Sequence, residues 1–83
     1  MTSSEYGVPA LQGSTGRVRV QLDIFDVKGR RVRRLLGGEQ TPGTYHAVWD
    51  GRDDRGAAVP SGVFLYQLQI AERKFERKMV VMR

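Results

Sequence analysis

The chain has 83 residues, 40% apolar and 28% charged, with no cysteine and a net charge of +5. That length fits one domain, and the balance of apolar and charged residues is that of a globular fold, not a disordered tail. A disulfide framework, thiolate metal sites and cysteine nucleophiles are excluded, and no apolar run approaches the roughly 20 residues a membrane helix needs.

Residues 1–16, MTSSEYGVPALQGSTG, lack the basic region and apolar stretch of a signal peptide. They read as a flexible N-terminal segment with a candidate first strand at 6–11 and a Gly/Ser/Thr join at 13–16. The folded part spans 17–83. Val18, Val20, Leu22 and Ile24 alternate with Arg19, Gln21 and Asp23, a period of two that predicts a strand with one buried face and these polar residues outward. Asp26-Val27-Lys28-Gly29 is a turn, opened by an aspartate and closed by a glycine free to take positive φ. The chain returns over 30–36 with Val32 inward, and Gly37-Gly38 is expected to break this strand.

Pro42-Gly43 precedes a third strand, 44–49, in which Tyr45, Ala47 and Trp49 share a face and His46 lies opposite. Residues 50–62, rich in Gly and Asp and including Pro60, form an ordered loop. The most β-prone segment follows at 63–70, with Phe64, Tyr66, Leu68 and Ile70 on one face. A turn at 71–73 leads to the last strand, 74–82, where Phe75, Met79 and Val81 alternate with charge. Strands at this spacing, with no helical periodicity, predict an all-β, immunoglobulin-like antiparallel sandwich of about six to seven short strands.

Asp50, Asp53 and Asp54 invite a calcium site. However, Gly51 stands second, Arg52 and Arg55 flank the acids, and no distal Glu follows, so the spacing is not that of a calcium loop. These aspartates are read as turn formers, with Gly51 and Gly56 in unusual φ. His46 is the sole histidine, Ser61 sits in turn chemistry and no glycine pattern cradles a phosphate, so no catalytic, metal or cofactor residue is assigned. Trp49 is assigned to the core. Arg30, Arg31, Arg33 and Arg34, with Phe25, Tyr45 and Tyr66 as stacking surfaces, would suit nucleic acid, but the aromatics are expected in the core and Asp23, Asp26 and Glu39 interrupt the basic stripe.

Read in order, VQLDIFDVKGR (20–30), RVRRL (31–35), PGTY (42–45), WDGRDDRG (49–56), VPSGVFLY (59–66) and RKMVVMR (77–83) resemble the FlgD-like Ig domain of flagellar hook-capping proteins. The likeness extends to C-terminal sorting domains of type IX secretion. Its fold-defining positions are Asp26, Gly29, Gly43, Trp49, Asp50, Gly51, Asp53, Gly56, Pro60, Gly62 and Tyr66. At the N-terminal end, Tyr6-Gly7-Val8-Pro9 is similar to the remnant of the family's opening strand, and its displacement would leave a sheet edge open.

The resemblance implies a non-catalytic C-terminal module of a larger secreted bacterial protein, acting in sorting and export through the periplasm and in cell-surface attachment, with an extracellular or cell-surface location. Lys78, Met79, Val80, Val81 and Arg83 form its candidate sorting signal. The implied partner is the secretion machinery or a neighbouring domain of the parent protein. The alternative is a structural module, packing on such a domain or on itself through an edge strand. A basic polyanion binder is the third reading; neither a cofactor nor a membrane span is expected.

Overall fold

The computed structural model describes residues 2–9 and 16–82. Among the described residues the chain forms strands β1 (Thr2–Val8), β2 (Val18–Asp26), β3 (Arg31–Gln40), β4 (Gly43–Trp49), β5 (Gly62–Ile70) and β6 (Arg73–Val81). They build two sheets, one of two strands in the order β1-β4 and one of four in the order β3-β2-β5-β6. Every pairing is antiparallel, and the architecture is the all-β, Ig-like sandwich that the alternation predicts.

The core follows that alternation. Val18, Val20, Leu22 and Ile24 of β2 are buried beside Phe64, Leu68 and Ile70 of β5, while Tyr6 and Val8 of β1 and Trp49 of β4 close over them. Tyr6 stacks its ring on Tyr45 of the paired strand at 5.6 Å, and its hydroxyl ties the small sheet to the large one by donating to Gln40 Oε1 of β3 at 2.8 Å. Burial pushes the Tyr6 phenol above its ordinary value, with the Gln40 bond opposing the shift.

Asp26 shapes the β2–β3 turn by accepting the Lys28 and Arg30 backbone N–H groups on Oδ1, both at 2.9 Å, and Arg30 Nε on Oδ2 at 2.9 Å. Chiefly the Arg30 backbone N–H, and then the Arg30 side chain and the Lys28 N–H, hold its carboxyl below the usual range against a smaller effect of burial. Gly29 turns the chain at φ +82°, where a side chain would be strained.

Three local expectations need correction. First, β1 runs over Thr2–Val8 and pairs with β4 along its whole length, upstream of the expected 6–11. Leu11 and most of the 13–16 join lie outside the described residues. Second, Gly37-Gly38 does not break β3, which continues to Gln40. The N-terminal half of β2 offers a ladder there, with Gln21 opposite Gly37 and Val20 opposite Gly38. Pairing outweighs the low strand propensity of glycine, and Gly38 takes φ +154°. Third, Asp23 is 3% exposed although Arg19 and Gln21, which precede it on that face, are polar. Register shifts in β3 opposite 22/23 and 24/25 leave Leu35 and Val32 as extra residues. They turn both toward the core and bring Arg34 over Asp23.

Candidate docking surface on the last strand

The β4–β5 loop, where the sequence concentrates its acids, is a closed polar knot. Asp50 Oδ1 accepts the Arg52 N–H at 3.0 Å, and Asp53 Oδ1 accepts the N–H groups of Arg55 at 2.9 Å and Ala57 at 3.0 Å. Gly51 and Gly56 take φ +76° and +85°. The Trp49 indole N–H donates to the Arg52 carbonyl at 2.9 Å, and Val59 N–H returns to the Gly51 carbonyl at 2.9 Å. Pro60 and Gly62 lead the chain into β5. Each aspartate oxygen named here is spent on the loop's own backbone, and among the described residues no three His, Asp or Glu gather to hold a metal ion.

β3 is fastened to the same loop. Asp54 N–H donates to the Val32 carbonyl at 3.0 Å, and Asp54 Oδ1 accepts the Arg34 N–H at 3.0 Å. Arg33 Nη1 donates to the Asp53 carbonyl at 3.2 Å and lies 3.8 Å from Asp50. Arg30 pairs with Asp26, Arg31 with Asp54 at 3.9 Å, and Arg34 with buried Asp23 at 2.9 Å. Asp23 raises the Arg34 guanidinium above its ordinary value through that hydrogen bond. The basic hairpin therefore faces aspartates of its own chain, and Tyr45 is stacked on Tyr6. Sequence reasoning placed Asp23 in solvent; the signal for its burial was the pair of apolar residues, Val32 and Leu35, out of period in β3.

β6 is different in kind. Its register with β5 sets Arg73, Phe75, Arg77, Met79 and Val81 on the core side, opposite Ile70, Leu68, Tyr66, Phe64 and Gly62. Lys74, Glu76, Lys78 and Val80 face outward. Met79 and Val81 are half-buried against the cluster of Ile24, Trp49, Val59 and Phe64. Yet 73–78 are exposed without interruption, and Phe75 keeps 48% of its surface in water. The cause is the unequal sheets: two strands cannot cover four, and β6 is the edge left bare.

The structure thus divides the candidate sorting residues. Met79 and Val81 pack, half-buried, against the core, whereas Lys78 and Val80 point to solvent, Val80 with 62% exposure; Arg83 lies outside the described residues. Val80 stands beside Val63, and Lys78 beside Leu65, which itself neighbours Phe25. With Met82 exposed beyond them, these residues make an apolar outer patch next to Lys78.

The sequence model of the FlgD Ig-like domain matches residues 6–74. No curated protein gives a significant match. Nor does any solved structure. The match runs from β1 to the start of β6, through the turn at Asp26, the buried Trp49 and the knotted loop that give the sandwich its shape, and this chain belongs to the FlgD Ig-like domain family.

Proposed function

We propose that the chain is a non-catalytic structural module of a larger exported bacterial protein, and that it works by docking through β6. The observation that supports this reading is the bare edge strand. Six successive residues, 73–78, are exposed, although Arg73, Phe75 and Arg77 lie on the face that the rest of the sandwich buries. An uncovered apolar ring on the inner face of a sheet is surface that a neighbouring domain or the secretion machinery would cover. The loop acids and hairpin arginines, by contrast, are consumed within the chain and leave little for chemistry.

A second reading, sorting to the cell surface through the periplasm, is favoured by the outward row of Lys78, Val80 and Met82. Both readings are tested by fusing the full chain to a reporter in a bacterium with type IX secretion. One variant changes the outward face (Lys78→Ala with Val80→Ser), and another changes the uncovered inner face (Phe75→Ser with Arg77→Ser). Circular dichroism must show both folded. Loss of surface display with the outward variant supports a sorting signal, and loss with the inner variant supports packing through the bare face. Display unchanged by either variant overturns docking through β6.

A further inference from the structure

We infer that the sandwich is built to accept a seventh strand on the free edge of β1, supplied by an extended partner segment that reads acid-x-apolar-x-acid. This inference rests on the docking role of β6 and names the partner's chemistry.

The first observation is an open edge facing an open face. Among the described residues β1 pairs with β4 alone, and an edge strand presents a row of backbone N–H and C=O groups open to pairing. The C-terminal end of β1 meets β6 there: Gly7, Val8 and Pro9, with Gly43 and Thr44 of β4, line a groove of about 500 Å³ together with Ile70, Arg73 and Phe75. A strand added to β1 would lie over the inner face of β6 and cover Phe75, turning a sheet of two strands into one of three.

The second observation is charge. Arg73 and Arg77 flank Phe75 on that inner face. Among the described residues neither guanidinium has an ion pair or hydrogen-bond partner, although the hairpin arginines 30, 31, 33 and 34 each have one. Residues four apart on one strand face lie about 13 Å from each other, and packed sheets are separated by about 10 Å. Acids at i and i+4 of the added strand match that spacing, with an apolar residue at i+2 over Phe75. Burying the two arginines against anything apolar would leave unpaired charge, which selects against a purely hydrophobic occupant.

The third observation excludes a second copy as the source. Acids four apart occur in this chain only as Asp50/Asp54 and Glu72/Glu76, and the residues between them are Arg52 and Lys74. No segment of these 83 residues reads acid-x-apolar-x-acid, so the strand comes from another domain or another protein.

The test is titration of the isotope-labelled full chain, followed by amide NMR, with the capped peptide Thr-Glu-Thr-Val-Thr-Glu-Thr. Two controls replace Val by Ser, or both Glu by Lys. Saturable shifts at Gly7, Val8, Arg73, Phe75 and Arg77 are expected. Affinity should fall at least about 10-fold with the Ser peptide, and binding of the Lys peptide should be undetectable. The variant Arg73→Glu with Arg77→Glu, checked for a dispersed spectrum, should reverse the preference and bind the Lys peptide. No saturable shift at millimolar peptide overturns the inference. So do shifts centred on Arg31 and Arg34, or equal binding of the Val and Ser peptides. If the inner-face variant abolishes display in the fusion experiment while the peptide does not bind, docking through β6 stands and the seventh strand falls.

Discussion

Trp49 anchors the half of the core that β6 helps to close, and its removal gives the sharpest test of how the fold is held. The indole is 2% exposed, meets the Phe64 ring edge-on at 5.4 Å and donates to the Arg52 carbonyl at 2.9 Å. Truncating a buried aromatic to alanine costs about 3–5 kcal/mol, including the cavity left behind. Losing the edge-on pair and the hydrogen bond places Trp49→Ala at the upper end, about 4–5 kcal/mol. A chain of 83 residues has roughly 4–12 kcal/mol to lose. With a urea dependence of about 1 kcal/mol per molar for so small a domain, the midpoint should fall by about 4 M or the folded baseline should vanish. Trp49→Phe keeps the aromatic contact and forfeits the hydrogen bond and some volume, so about 1–2 M is expected. Far-UV circular dichroism in urea is the assay, because Trp49 is the sole tryptophan and its fluorescence goes with it. A fall below about 1.5 M for Trp49→Ala, or equal falls for both variants, would refute the reasoning.

Other consequences can be measured in the same way. Phe75→Ser should change stability by no more than about 0.5–1 kcal/mol because the ring is already half in water, whereas Phe64→Ala should cost about 3–5 kcal/mol. Gly51→Ala forces a side chain into φ +76° at a buried position and should cost about 1–2 kcal/mol in urea unfolding. Arg34→Ala should destabilise more than Asp23→Ala, since the first strands a buried carboxylate with Gln21 as its remaining partner while the second frees a guanidinium that reaches water. Asp26 has a lowered folded value, so its contribution is complete above the ordinary carboxylate range and is lost as pH falls from that range through the lowered value. Thermal midpoints of the wild type and Asp26→Asn should differ by a constant amount above about pH 5 and draw together as pH falls below about 4 toward Asp26's lowered value.

Much of this fold was legible in the alternation of β2 and β5, because each carries its buried residues at strict period two. The turn at Asp26 was legible too, since an aspartate followed three residues later by glycine can satisfy a tight turn locally. What stayed hidden depends on pairing across the sheet. Gly37-Gly38 reads as a break, yet β2 supplies a ladder there that local propensity does not encode. Asp23 reads as solvated because its burial comes from Arg34 after a bulge in the neighbouring strand. Phe75 shows the same limit at the candidate site: period two gives the face it occupies but not whether the opposite sheet extends far enough to cover it. The candidate signal at 78–83 likewise reads as one basic-apolar run, and register divides it into a core row and an outward row.

The central claim is that this module acts through β6, and site-specific photocrosslinking tests it most directly. A benzophenone amino acid would replace Phe75 or Val80 on β6, or Val48 on β4 as an equally exposed control (54%), in the full chain fused to a reporter in a bacterium with type IX secretion. The account predicts discrete crosslinked adducts from positions 75 or 80 and none above background from 48. Adducts from 48 alone, or equally from all three positions, would contradict it.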